Sequence, residues 1–70
     1  GIFSIKLHER YEHADLRILN QMGQTVFTQK GIKNNCIISK SLLPEGIYFI
    51  EISKHQLPKL NSKFIVIKSD

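Results

Sequence analysis

Residues 47–52, Ile-Tyr-Phe-Ile-Glu-Ile, constrain the fold more than any other stretch. β-Branched and aromatic side chains favour an extended backbone, and here they fall on both faces of the strand they would form. A strand apolar on both sides is expected in the middle of a sheet or sandwich, where neither face meets much water. The residues before it explain how the chain enters it. Pro44 suits the second position of a β-turn and Gly46 the fourth. Leu42 and Leu43 lead into that turn.

The remaining segments repeat this scale. In residues 2–7, Phe3, Ile5 and Leu7 share one face and Ser4 and Lys6 the other, the pattern of a half-buried strand. Gly1 is expected to end a turn that begins earlier. Residues 8–13 are polar and without a strong period, and read as a loop; a short helical turn is open to them but would lack an apolar face. In 14–19, Ala14, Leu16 and Ile18 alternate with Asp15 and Arg17. Asn20-Gln21-Met22-Gly23 then has the chemistry of a hairpin turn. The asparagine side chain can accept from the backbone two residues on, and Gly23 can take the left-handed conformation that closes a bulged loop. Residues 24–29 follow as the partner strand. Residues 30–35 read as a second loop, 36–39 as a short strand, and 53–62 as a long polar connection whose Pro58 opposes a regular strand. Residues 63–68 form the last strand, with Phe64, Ile65, Val66 and Ile67 between Lys63 and Lys68. Three roles suit that run: a buried strand whose lysines reach water, an edge guarded by lysines, or a docking strand read by strand addition. Short strands at this spacing predict an all-β fold, a small antiparallel sandwich of about six to seven strands or a small barrel.

Seventy residues allow one small domain, and such a chain buries only about 60% of its unfolded surface. Cys36 has no partner for a disulfide within the chain. No run is near the roughly 20 apolar residues of a membrane-spanning helix. The chain opens on a strand without a signal peptide or methionine, and we expect it to be an excised piece of a longer protein. The net charge of +4 at pH 7 comes from lysines scattered along the chain, without the clustering of a nucleic-acid footprint.

Reactive constellations are scarce. His8 and His13 flank one loop and His55 lies in another, with no acidic or cysteine partner at metal-ligand spacing; solvated surface histidines are expected. Cys36 lies within a strand, and a buried thiol is expected in place of a nucleophile. Glu9, Glu12 and Asp15 step every third residue through a polar loop and are expected to be solvated. Gly23, Gly31 and Gly46 each have a turn role and form no phosphate-cradling loop. Tyr48, Phe49 and Phe64 are expected in the core. We therefore expect no catalytic residue, no metal, no cofactor and no nucleic-acid partner.

In order, the segments resemble a known family. The run 1–7 is similar to the opening strand of the type A C-terminal sorting domain of the type IX secretion system, which usually follows an Asn-Pro-x-x-Gly turn; Gly1 would be its glycine. Residues 16–26, Leu-Arg-Ile-Leu-Asn-Gln-Met-Gly-Gln-Thr-Val, resemble its central hairpin. Residues 37–52 resemble its strongest motif: a short strand, a leucine-containing turn, and Gly46-Ile47-Tyr48 opening a strand. Residues 63–68 are similar to its closing basic-apolar strand. Leu57-Pro58-Lys59-Leu60 has no counterpart in the family pattern.

The resemblance implies a compact immunoglobulin-like sandwich without catalysis of its own. It implies a label at the C-terminus of a cargo protein, which passes through the periplasm and is delivered to the cell surface or secreted. The partners implied are the type IX machinery, a sortase-like peptidase that often removes the domain, and an N-terminal cargo domain. Gly46, Tyr48, Lys63, Phe64, Val66 and Lys68 are the expected recognition residues, with Gly23, Pro44 and Gly46 shaping turns. Free strand edges would allow a homodimer. The alternative is a small non-catalytic sandwich that binds carbohydrate or protein for a secreted enzyme; it needs an exposed aromatic platform, for which Tyr11 is the one aromatic outside the expected strands. An oligonucleotide-binding barrel has only the positive charge in its favour.

Overall fold

The computed structural model describes residues 2–39 and 43–67. Six strands form: β1 (Ile2–Lys6), β2 (Ala14–Asn20), β3 (Thr25–Ile32), β4 (Asn35–Ser39), β5 (Gly46–Ser53) and β6 (Leu60–Val66). They build two antiparallel sheets, one of order β1-β4 and one of order β3-β2-β5-β6. The expected all-β fold is thus observed, an immunoglobulin-like sandwich in plan. Among the described residues the only helical element is a 3-10 turn at Glu9–Tyr11.

Alternation decides which side chains enter the core. Ala14, Leu16 and Ile18 of β2 are buried, as are Tyr48, Ile50 and Ile52 of β5. From the smaller sheet come Cys36 and Ile38, with Ile5 and Leu7 packed against the cluster. Phe3 was expected beside Ile5 and Leu7, but its side chain lies outside the described set, as do Gly1, Leu42 and Lys68. Cys36 is buried as expected, and that burial raises its thiol pKa.

The β2–β3 hairpin closes through the expected side chain. Asn20 Oδ1 accepts from the backbone N–H of Met22 and of Gln24, each at 3.0 Å. The Gly23 N–H donates to the Asn20 carbonyl at 3.0 Å, and Gly23 sits at φ +83°. β3 is longer than its composition suggests. Lys30 and Gly31 read as loop residues, yet the strand runs on to the buried Ile32. A register shift between Ala14 and Leu16 absorbs them, with Gly31 at φ +63°. A bulge accommodates one glycine without ending the ladder.

β5 lies inside the large sheet, between β2 and β6, as its sequence requires. The expectation that both its faces are dry is corrected, since Phe49 is 39% exposed and points away from the core. Two strands cannot cover a four-stranded sheet on both sides, so the outer face meets water. β6 begins at Leu60, so residues 60–62 belong to a strand and not to the connection. It is an edge strand, and of the roles open to this run the fully buried one is excluded: Ile65 is 52% exposed, while Val66 on the opposite face is buried.

In the segment 8–13 the short helical turn left open by the sequence forms, and the departure is the burial of Tyr11. His8 Nδ1 accepts from the Arg10 N–H at 3.1 Å and caps the 3-10 turn. That turn drives Tyr11 inward to 2% exposure, where its hydroxyl donates to the Pro58 carbonyl at 2.6 Å. Lys54 Nζ donates to the Arg10 and Glu12 carbonyls at 3.0 and 2.6 Å. Two polar loops distant in sequence are thereby tied together.

Candidate recognition surface

The β5–β6 ladder collects most of the expected recognition residues at one end of the large sheet. Gly46 stands opposite Val66, Tyr48 opposite Phe64, and Phe49 opposite Lys63. The same end carries the β2–β3 turn, because Asn20 pairs with Tyr48. Pro44 belongs to this unit too: the Tyr48 hydroxyl donates to its carbonyl at 2.6 Å. The Tyr48 ring stacks on Phe64 with centroids 5.5 Å apart. The Pro44 segment, the strand after it and the last strand are therefore packed together.

Within that body the residues divide by face. Tyr48 and Val66 point inward and are buried, and Phe64 is half-buried. They shape the surface from beneath. Lys63 is on the outer face, beside Phe49. Lys68 lies outside the described residues.

The outer face also holds an apolar stripe, of which the sequence placed Ile47 and Phe49 in the core and left the role of Ile65 and Ile67 open. Leu19 and Phe49 are opposite one another, Ile47 faces Ile65, and the exposed Ile67 continues the row. The signal was present in the two-faced pattern of 47–52, but one buried and one open face fit that pattern as well as two buried ones. Below the stripe, Arg17 Nη2 lies 2.6 Å from Glu51 Oε1, and Lys59 Nζ lies 3.9 Å from the same oxygen. These charges are partly exposed, so the pair adds little stability. The stripe is open and shallow. It can take a partner by shape and apolar contact.

The other candidates resolve similarly. His13, Asp15 and His55 border one shallow depression, which the sequence did not foresee. Among the described residues, no group of three or more histidine, cysteine or acidic side chains is placed to hold a metal ion. Tyr11 does not offer an exposed platform for carbohydrate, since its ring is buried.

The geometry gives a compact all-strand body with a shaped end, and comparison with known families says which family it belongs to. The model of the secretion system C-terminal sorting domain matches residues 1–68. The chain belongs to the type IX sorting-domain family. No curated protein and no solved structure matches it. Sorting domains of this family are non-catalytic signals. Membership implies association with the type IX machinery and with a cargo region on its N-terminal side. It also implies export across the outer membrane, to the cell surface or the medium.

Proposed function

We propose that the 70 residues form one sorting domain, excised from the end of a larger secreted protein, and that the machinery reads it as a folded body during passage through the periplasm. The carrying observation is the family match over residues 1–68, and the joined Pro44 segment, β5 and β6 support it. In this reading Gly46, Tyr48, Phe64 and Val66 set the shape of the end and Lys63 supplies charge at its rim; Lys68, the other expected recognition lysine, lies outside the described residues. The domain catalyses nothing. A sortase-like peptidase removes it once the cargo has crossed. The alternative, a small sandwich that binds carbohydrate or protein for a secreted enzyme, does not have Tyr11 as an aromatic platform, since its ring is buried.

The test is a reporter cargo fused to this domain in a bacterium that carries the type IX system. Truncation after residue 63 should hold the reporter in the periplasm, and Lys63→Glu should reduce surface delivery while leaving the fold intact. Full delivery by a truncated but folded fusion would refute the assignment of the last strand.

A further inference from the structure

The two sheets do not match in width. With neighbouring strands about 4.8 Å apart, β1 and β4 cover only part of the four strands opposite. Burial records this directly. The inward side chains of β2 and β5 are buried, whereas on β6 Leu60 and Phe64 are half-buried and Ser62 is exposed. A groove of about 290 Å³ results, with Ile5, Leu60 and Phe64 in its lining and Ser4 and Ser62 also bordering it. It runs between β1 and β6.

One wall of the groove is a strand edge that no described residue pairs with. Among the described residues β1 pairs with β4 alone. The Leu7 N–H donates to the Asn34 carbonyl at 2.7 Å, and the same register sets Ile5 opposite Cys36. In an antiparallel pair, main-chain groups point toward the partner and away from it at alternate residues. Leu7 and Ile5 therefore point theirs at β4. Ser4 and Lys6 present an N–H and a C=O each along the free edge. An open edge beside an apolar trough selects an extended polypeptide, since only a strand satisfies both together.

We propose that this groove is a strand-addition site for an extended segment of the export machinery. The incoming strand pairs with Ser4 and Lys6 and widens the small sheet to three strands. Every second side chain of that strand is apolar and lies over Leu60 and Phe64. The side chains between face solvent, and one beside the exposed Lys6 is acidic. This rests on the sorting reading, which supplies the partner, but it uses a surface distinct from the outer stripe.

Three substitutions in the reporter fusion test it. Ser4→Pro removes the outward N–H and leaves the β4 ladder untouched, as proline is tolerated where an edge N–H faces solvent. Ser62→Trp fills the groove without removing a core contact. Ser4→Ala keeps the main-chain donor and removes only the hydroxyl. Ser4→Pro and Ser62→Trp should each cut surface delivery about tenfold, the effect of one or two lost hydrogen bonds or of a blocked trough, while the purified domains melt within a few degrees of the parent. Ser4→Ala should deliver normally. Normal delivery by both altered domains, with the domain deletion still retaining cargo, overturns the groove and leaves the sorting reading standing. Delivery without the domain overturns the sorting reading itself. If Ser4→Pro fails to fold, Ser62→Trp decides alone. A parent dimer in light scattering that either substitution dissociates would assign the groove to a second copy, and would equally overturn the proposal.

Discussion

Tyr11→Phe is the sharpest probe of how the loops are held. The ring is nearly inaccessible, with the Arg10 guanidinium 5.7 Å from its centroid, and the hydroxyl makes a 2.6 Å bond to the Pro58 carbonyl. Phenylalanine keeps the apolar body and removes only that bond. A typical intramolecular hydrogen bond contributes about 1 kcal/mol net. Pro58 is itself exposed, so water can replace the lost donor and hold the cost near that figure. For a domain of 60–100 residues, 1 kcal/mol lowers the melting temperature by about 4–8 °C. Tyr11→Ala also removes the ring, at about 3–5 kcal/mol. That equals the whole stability a core of this size commonly supplies, so the alanine protein should be unfolded at room temperature. Thermal circular dichroism reads both. A Tyr11→Phe melting temperature unchanged from the parent, or a cooperatively folded Tyr11→Ala, would refute the claim that this side chain fastens the 3-10 turn to the Pro58 loop.

Lys54→Met should cost about 1.5–3 kcal/mol in urea unfolding, the range for hydrogen bonds to a charged group, because it leaves the Arg10 and Glu12 carbonyls without their donor. Asn20→Ala removes both bonds to Oδ1 and should destabilise by about 1–2 kcal/mol, whereas Gln21→Ala in the same turn should be near neutral. Cys36 should resist alkylation in the folded domain and react readily in urea. Its folded pKa is raised by burial, so its contribution to stability is fully present below the unfolded thiol's pKa and is lost as pH rises through the folded value; Cys36→Ala should flatten that alkaline decline. Phe49→Ser, on the open face, should change stability by less than about 1 kcal/mol and still lower surface delivery, which separates surface from core among the aromatics.

Local chemistry made much of the fold legible. Asn20 and Gly23 announced a bulged hairpin, and both act as their chemistry predicts. The alternation in 14–19 identified the buried face of β2 residue by residue. The extension of β3 was hidden because Gly31 signals a break as strongly as a bulge, and only the pairing of Ala14 with Ile32 distinguishes them. Tyr11 was hidden more deeply. Its partner is far along the chain, in a loop with no periodic pattern, so no window around either residue contains the signal. The outer stripe was visible as composition but not as exposure. Period-two patterning tells which residues share a face. It is silent on whether a second sheet exists to cover that face.

That limit has a functional counterpart. The buried residues fix a shape, and a shape alone would serve any small sandwich. What distinguishes this one is what the sandwich leaves uncovered: an apolar stripe on the outside of β5 and β6, and a trough where β1 fails to reach across β6. Both are costly for an isolated protein, since an open strand edge beside exposed apolar surface invites aggregation. Lys6 on the first edge strand and Lys63 on the last oppose unwanted pairing by their charge. If the domain is read only during export, as proposed above, such surfaces would be kept open and guarded. On this argument, replacing Lys6 and Lys63 together by threonine should leave the monomer's stability nearly unchanged and increase its self-association, whereas replacing Lys33 and Lys59 by threonine should not.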